Sequence, residues 1–134
     1  MLQVVWFKRD LRIDDHAPLT EAARRGPVLP LYIAEPELWA QPDMAGRHWA
    51  FIAEALHELR RDLAQRGQPL VVRCGRVVDV LAELRQVHGA LALWSHEETG
   101  QAWTYARDLE VSEWCRAVGV PWRELPQNGV VRRL

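Results

Sequence analysis

Two short segments carry most of the side chains in this sequence that could bind a ligand or move a proton. In each segment, charged residues follow directly after a run of apolar residues. Guanidinium and ammonium groups bind anionic oxygens, whereas carboxylates accept protons and bind cations. Such a mixture can either hold a charged ligand or pair internally. The first segment contains Lys8, Arg9, Asp10 and Arg12, and the second contains His96, Glu97 and Glu98.

The apolar runs before these segments belong to a regular alternation of predicted strands and helices. Most of the five apolar runs lack period-two alternation, which is typical of strands that are covered on both faces. Between them, apolar residues recur at spacings of three and four, as they do along one face of a helix. The strands are predicted at residues 4–7, 28–33, 70–73, 91–95 and 121–125. The helices are predicted at residues 17–25, 49–65, 77–87 and 101–118.

This alternation predicts an α/β fold, a Rossmann-like three-layer sandwich. Right-handed crossovers make the sheet parallel and place helices on both of its faces. We expect five strands in the order 3-2-1-4-5. In such sheets ligands bind beyond the carboxyl ends of the strands, where the winding reverses, which is between strands 1 and 4 here. Arg9 and Glu97 are therefore predicted to face one crevice, with Ala34 and Glu35 beside them at the end of strand 2.

Two interpretations of these charges remain open from the sequence. In one, Arg9 and Arg12 anchor a ligand in the crevice. In the other, the same arginines pair with Asp10, Glu35 or Glu97 and fix the loops, because partly buried ion pairs do not require a ligand.

The histidines carry little functional signal in the sequence. His96 is equally compatible with a structural hydrogen bond and with ligand binding. Asp15 or His16 is the predicted N-cap of the first helix, with Pro18 in the first turn. The remaining histidines are expected, like His16, at the solvent or at an interface: His48, His57 and His88.

Composition narrows the class of protein. With 134 residues and a net charge of −1, the chain is predicted to be one domain without a basic surface for nucleic acid. No apolar run suits a signal peptide or a membrane span, so a cytoplasmic location is expected. Cys74 and Cys115 are expected to be buried, reduced thiols. The seven tryptophans are assigned mainly to core packing.

Several common active-site motifs are missing from the sequence. The absence of G-x-G-x-x-G and of G-x-x-x-x-G-K-[ST] argues against dinucleotide and P-loop sites. Ser95 and Ser112 do not lie in a G-x-S-x-G elbow, and no histidine or cysteine cluster has zinc spacing. We therefore expect neither a metal site nor a self-sufficient active site, so the catalytic residues of this chain are predicted to be none.

Four segments resemble the DNA photolyase and cryptochrome family along the whole chain. VVWFKRDLRIDDHAPL is similar to the family's opening strand, which ends in W-F-x-R-D-L-R, and PVLPLYIAEPELW is similar to its second strand. WSHEETGQAWTYARDLEVSEWC and PWRELPQNGVVRRL resemble the later part of the family's first domain. The resemblance implies that residues 1–134 are the N-terminal α/β domain, and that a C-terminal helical FAD-binding domain is absent from this sequence.

The resemblance also implies a function for the parent protein. Photolyases are carbon–carbon lyases that use light and FAD to repair pyrimidine dimers in DNA, and cryptochromes use the same scaffold for blue-light signalling. The expected partners are the helical domain of the same chain and, through the full-length protein, damaged DNA, with no membrane. The isolated domain is expected to be catalytically inactive. A stand-alone nucleotide-binding domain of the universal-stress type is a third alternative.

In many relatives this domain holds an antenna chromophore. On the pattern of the deazaflavin-binding relatives, the candidate residues are Lys8, Arg9, Asp10, Arg12, Ile33, Ala34, Glu35, His96, Glu97 and Glu98. Folate-binding relatives use a histidine in the loop after strand 2, and Pro42 replaces it here, which argues against that mode of binding. Ion pairs that fill the crevice would leave no antenna at all.

Overall fold

The computed structural model describes residues 1–41, 47–99 and 101–127, and of residues 47–49 it describes the backbone alone. The strands in these ranges are β1 (Leu2–Phe7), β2 (Val28–Ala34), β3 (Val71–Cys74), β4 (Leu91–His96) and β5 (Trp122–Leu125). The helices are α1 (Ala17–Ala23), α2 (Pro36–Trp39), α3 (Arg47–Gln65), α4 (Val77–His88) and α5 (Ala102–Val118).

All strands pair in parallel in one sheet of order β3-β2-β1-β4-β5, which confirms the predicted topology. β1 lies at the centre, where Val5 pairs with Pro30 of β2 on one side and with Trp94 of β4 on the other. Because the strands are parallel, the carboxyl ends of β1, β2 and β4 meet at one edge of the sheet. The charged segments that follow them are therefore brought together.

The sheet is covered on both faces, as the continuous apolar strands predicted. Successive residues of a strand point to opposite faces. In β1, Val4 and Trp6 join the core packed against α4 and α5, whereas Val5 and Phe7 join the core that includes Leu59 of α3. Each of these side chains is almost completely buried. Burial of a large apolar side chain contributes about 1.5–3 kcal/mol, so these two cores dominate the stability of the domain.

Two features differ from the sequence-based prediction. The single turn α2 was not predicted, because four residues are too few for a helical periodicity to be read. Pro36 at its first position suits a helix start, since proline lacks the N–H that would be unpaired there. Cys74 is exposed at the end of the edge strand β3, so its predicted burial is wrong, whereas Cys115 is buried, and both thiols are free.

Candidate functional site

A cavity of about 520 Å³ opens at the carboxyl ends of β1 and β2 and extends toward α3 and the segment after β4. We call it the crevice. The aromatic and aliphatic residues that line it include Trp6, Phe7, Tyr32, Ile33, Trp39, Phe51 and Ala55. The polar residues that line it are Lys8, Arg9, Arg12, Glu35, Glu98, Gln101 and Arg107. Apolar walls with a few placed charges are typical of small-molecule sites.

Arg107 of α5 connects the charges of the crevice. Its guanidinium donates to Glu35 Oε2 at 2.6 Å, to Asp108 Oδ1 at 2.8 Å and, very closely, to Glu98 Oε1. The other oxygen of Glu98 pairs with Arg9 Nε at 3.1 Å. Burial raises the pKa of Glu35 to about 6 despite the attraction of Arg107. Both carboxylates of the crevice are therefore occupied by arginines.

Lys8 also lines the cavity, but its ammonium group is buried. Its side chain is 4% exposed, and its Nζ lies 3.5 Å from Asp108 Oδ2. The ammonium also lies 4.3 Å from the ring centroid of Trp6 and 5.7 Å from that of Trp122, which is the geometry of a cation–π interaction. Burial lowers the pKa of Lys8, and the negative charge of Asp108 opposes this shift.

Asp10 forms a separate buried network that connects the ends of β1 and β4. One carboxylate oxygen accepts the backbone N–H of Lys8 at 2.7 Å. The other lies 2.6 Å from His16 Nε2 and 2.7 Å from His96 Nδ1. Burial alone would raise the pKa of Asp10, but the hydrogen bonds from the two imidazoles outweigh it and hold this pKa well below its usual value. The network fixes the course of the loop that carries Lys8.

The role of His16 as the N-cap of α1 shows which of its ring nitrogens carries a proton. His16 is the N-cap, and its Nδ1 accepts the backbone N–H of Leu19 at 3.1 Å. Nδ1 therefore carries no proton, so Nε2 carries one and donates it to Asp10. Asp10, His16 and His96 each have one oxygen or nitrogen atom that could bind a metal, and these three atoms lie within 4.8 Å of one another. Because protons already occupy the short contacts between them, these residues form a hydrogen-bonded network, and a metal would have to displace it.

The structure brings together six of the ten predicted site residues. Lys8, Arg9, Arg12, Ile33, Glu35 and Glu98 line the crevice. Asp10 and His96 belong to the buried network, and Ala34 and Glu97 are not part of the lining. The guanidinium of Arg12 donates to the backbone carbonyls of Asp14 and Asp15, so it also fixes its own loop.

The predicted juxtaposition of Arg9 and Glu97 is wrong. Arg9 pairs with Glu98 instead, while Glu97 is exposed and its backbone N–H donates to the carbonyl of Leu125 at 2.8 Å. The backbone after β4 thus continues the pairing with β5, where successive side chains alternate in direction. The prediction therefore chose the correct segment but the wrong one of two neighbouring glutamates, because Glu98 and not Glu97 points toward Arg9.

Two side chains of this candidate site were not predicted from the sequence. His16 was expected at the solvent or at an interface, but it is buried, because the imidazole serves both as N-cap and as donor to Asp10. Arg107 lies in the segment WSHEETGQAWTYARDLEVSEWC, on which the family resemblance partly rests, but the sequence analysis assigned it no role of its own. The folate-type position Pro42 lies outside the described residues.

The comparisons with known proteins agree with this architecture. A family model described as DNA photolyase matches residues 3–133. The chain belongs to the DNA photolyase family. Among photolyase relatives, the deoxyribodipyrimidine photo-lyase of Salmonella typhimurium is 42% identical over 86 residues, which cover 63% of this chain and 18% of that protein. The blue-light photoreceptor PHR2 of Arabidopsis thaliana is 40% identical over 101 residues, which cover 71% of this chain and 23% of that protein. The chain thus spans about a fifth of the length of these photolyase-family proteins.

Solved photolyase structures share the fold. A class III photolyase from Agrobacterium tumefaciens superposes with a TM-score of 0.83 at 26% identity, over 92% of this chain and 25% of that one. An archaeal photolyase from Sulfolobus tokodaii, solved with two FAD molecules, gives a TM-score of 0.80 at 25% identity, over 94% of this chain and 29% of that one. The α/β domain described above is therefore the N-terminal domain of the photolyase fold.

Among the described helices of this photolyase domain, none combines the length and the apolar character needed to span a bilayer.

Proposed function

We propose that this chain is the antenna-type N-terminal domain of a deoxyribodipyrimidine photolyase, a lyase that uses light and FAD to repair pyrimidine dimers in DNA. In this proposal the flavin site, the DNA surface and the catalytic residues belong to a helical C-terminal domain of the same protein. The domain alone then has no lyase activity. Its own task is to hold a light-harvesting chromophore and to pack against the helical domain.

The observation that carries this proposal is the crevice itself. It is large enough for a planar ring system, and the accessible rings of Trp39 and Phe51 on its wall offer surfaces on which such a ring can pack. The exposed ring of Phe51, 72% accessible at the rim, supports binding from the solvent side. The ion pairs around Arg107 form part of the wall and do not fill the cavity.

The chromophore that fits best is a deazaflavin or a flavin. The Sulfolobus tokodaii photolyase was solved with two FAD molecules, with the implication of a novel light-harvesting cofactor, which supports a flavin-type ring as an antenna in this family. Folate is the alternative chromophore.

Filling the crevice is expected to abolish chromophore binding. Ala55 lies on α3 and lines the cavity, so the indole of Ala55→Trp would occupy the space that the ring needs. We expect binding of riboflavin, 5-deazariboflavin or folic acid to weaken by at least about tenfold, which corresponds to 1.4 kcal/mol. Fluorescence titration of the purified chain measures this loss.

The control is Ala64→Trp, which places the same indole at an exposed position of the same helix, outside the cavity. It should bind like the unchanged chain. If the unchanged chain binds none of the three compounds saturably, or if Ala55→Trp binds as tightly as Ala64→Trp, the crevice is not an antenna site.

A cryptochrome-like signalling function is the second candidate. It is supported by relatives of that kind, such as the PHR2 photoreceptor and the cryptochrome DASH of Natronomonas pharaonis, which is 37% identical over 98 residues covering 69% of this chain and 21% of that protein. Repair of thymine dimers under blue light by the full-length protein separates the two functions. Repair supports the photolyase, whereas flavin binding without repair supports the photoreceptor.

A further inference from the structure

Helix α5 carries apolar residues on two opposite faces. Its inner face packs into the core through residues such as Val111. Its outer face, which we define as Ala102, Tyr105, Ala106 and Leu109, follows the spacing i, i+3, i+4 and i+7 and is exposed at all four positions. The side chain of Tyr105 is 67% accessible and that of Leu109 is 49% accessible. In the described domain, α5 therefore presents an apolar stripe to the solvent.

The neighbouring helix α4 shows what an ordinary surface helix carries at such positions. The same spacing on its exposed side gives Asp79, Ala82, Glu83 and Gln86, which are mainly polar. A single exposed apolar side chain, such as Val87 in the last turn of α4, is common and needs no explanation. A contiguous apolar stripe instead marks a surface that another molecule covers.

A second cavity, of about 680 Å³, adjoins the outer face of α5. Ala106 belongs to both, and Trp103 and Glu110 of the same helix also line the cavity. Most of the remaining lining lies at the starts of α2 and α4. A small ligand in this cavity would leave Tyr105 and Leu109 exposed, because neither lines it. An occupant that covers both the cavity and the face is therefore a protein surface.

We propose that the outer face of α5 and the second cavity together form the docking surface for the helical C-terminal domain of the same protein. An apolar side chain of that domain enters the cavity while its neighbours pack on Tyr105 and Leu109, as the ridges of one helix pack into the grooves of another. This inference rests on the proposed function and adds which surface of this domain contacts the rest of the protein.

Two observations favour the helical domain as the occupant. The strands are parallel, so the carboxyl end of β5 lies at the same edge of the sheet as the start of α5, which follows β4. A chain that continues after β5 therefore begins at the edge where this surface lies. In addition, the match covers only 25% and 29% of the two solved photolyase chains, so most of each photolyase lies outside this domain.

Polar substitutions in the outer face test this docking in the full-length protein. The double variant Tyr105→Gln, Leu109→Gln removes the apolar contact, while glutamine is a good helix former and neither creates nor removes a trypsin site. We expect trypsin to cleave between the two domains at least about tenfold faster in this variant, because cleavage of a transiently opened state follows its population. Limited proteolysis measures the rate.

The controls are Val87→Gln and the chain of 134 residues. Val87→Gln exchanges an apolar side chain that is 72% accessible on α4, outside the proposed surface, and should leave the cleavage rate unchanged. Without the helical domain, the double variant should unfold within about 3 °C of the unchanged chain, because its substitutions lie at the surface. In sedimentation velocity, the unchanged chain of 134 residues should be a monomer.

Each other outcome contradicts the inference. If the double variant is cleaved like Val87→Gln, or if it destabilises the chain of 134 residues by more than this, the outer face is not a docking surface. The antenna function then still stands, because neither residue lines the crevice. If the chain of 134 residues is a dimer that the double variant dissociates, a second copy covers the face and the inference is wrong. If the full-length protein contains no helical domain, the proposed function fails with it.

Discussion

Replacing Asp10 by asparagine is expected to lower the free energy of unfolding by about 3–5 kcal/mol, which is a large part of the 5–15 kcal/mol of a typical domain. The carboxylate accepts three buried hydrogen bonds, from Lys8 N, His16 Nε2 and His96 Nδ1. In Asp10→Asn, the side-chain amide presents N–H groups where one oxygen stood. Buried donors would then face each other, and each unpaired group costs about 1–3 kcal/mol.

Urea denaturation followed by circular dichroism measures this loss. The matched control is Asp14→Asn, the same exchange at an exposed position of the same loop, which should change stability by less than about 0.5 kcal/mol. Equal effects of the two exchanges would show that the buried network contributes little. A shift of the histidine nitrogen resonances in Asp10→Asn alone would report the loss of the two imidazole contacts directly.

The pH dependence of the unchanged chain follows from the same network. The folded-state pKa of Asp10 is held well below its unfolded value, so the unfolded state binds more protons as the pH falls. The stability due to Asp10 is therefore fully present above about pH 4 and is lost as the pH falls through the folded-state pKa. Asp10→Asn lacks this titration, so its stability deficit should narrow in strong acid.

Replacing Arg107 by methionine is expected to cost about 3–5 kcal/mol near pH 7.5, because three carboxylates lose the cation that pairs them. Methionine retains the apolar stem, so the effect reports the charge and the hydrogen bonds. The control is Arg116→Met on the exposed part of the same helix, with an expected change below about 0.5 kcal/mol. Urea denaturation of both variants measures the difference.

Acid should partly rescue Arg107→Met. Burial already raises the pKa of Glu35 to about 6 in the presence of Arg107, and loss of that cation raises it further. A folded-state pKa above the unfolded value near 4.5 contributes stability at low pH that is lost as the pH rises through the folded-state value. The deficit of Arg107→Met should therefore be smaller at pH 5.5 than at pH 7.5. A deficit that is independent of pH would contradict the assigned role of Glu35.

The fold was predictable because its signals are local and repeated. Continuous apolar strands alternate with amphipathic helices, and the handedness of the crossovers leaves few strand orders. The exceptions are informative. α2 is one turn long, and a single turn has no period. The sequence left two candidates for the N-cap of α1, Asp15 and His16. The structure identifies His16, because its imidazole is buried between Asp10 and the α1 backbone.

The site was predictable only at the level of segments. The topology alone brings together the segments that follow β1 and β4. Side chains in such a segment point alternately in opposite directions, so the sequence does not show that Glu98 and not Glu97 points into the crevice. The role of Arg107 depends on a partner 72 positions away, Glu35, to which no local pattern points. Likewise, the sequence indicates His16 only weakly as an N-cap, since asparagine, aspartate, serine and threonine are the usual N-cap residues.

The central position of β1 has a consequence for how this domain folds. Its hydrogen-bonded neighbour β4 lies far along the sequence, and the bond between Asp10 and His96 closes a loop of 86 residues. Long-range closures of this kind carry a large entropic barrier and slow the search for the native topology. During synthesis on a ribosome, β1 would emerge early but could not pair with β4 until that strand had been synthesised. Nascent chains stopped before β4 should therefore be sensitive to proteases, and protection should arise abruptly once that strand has left the exit tunnel.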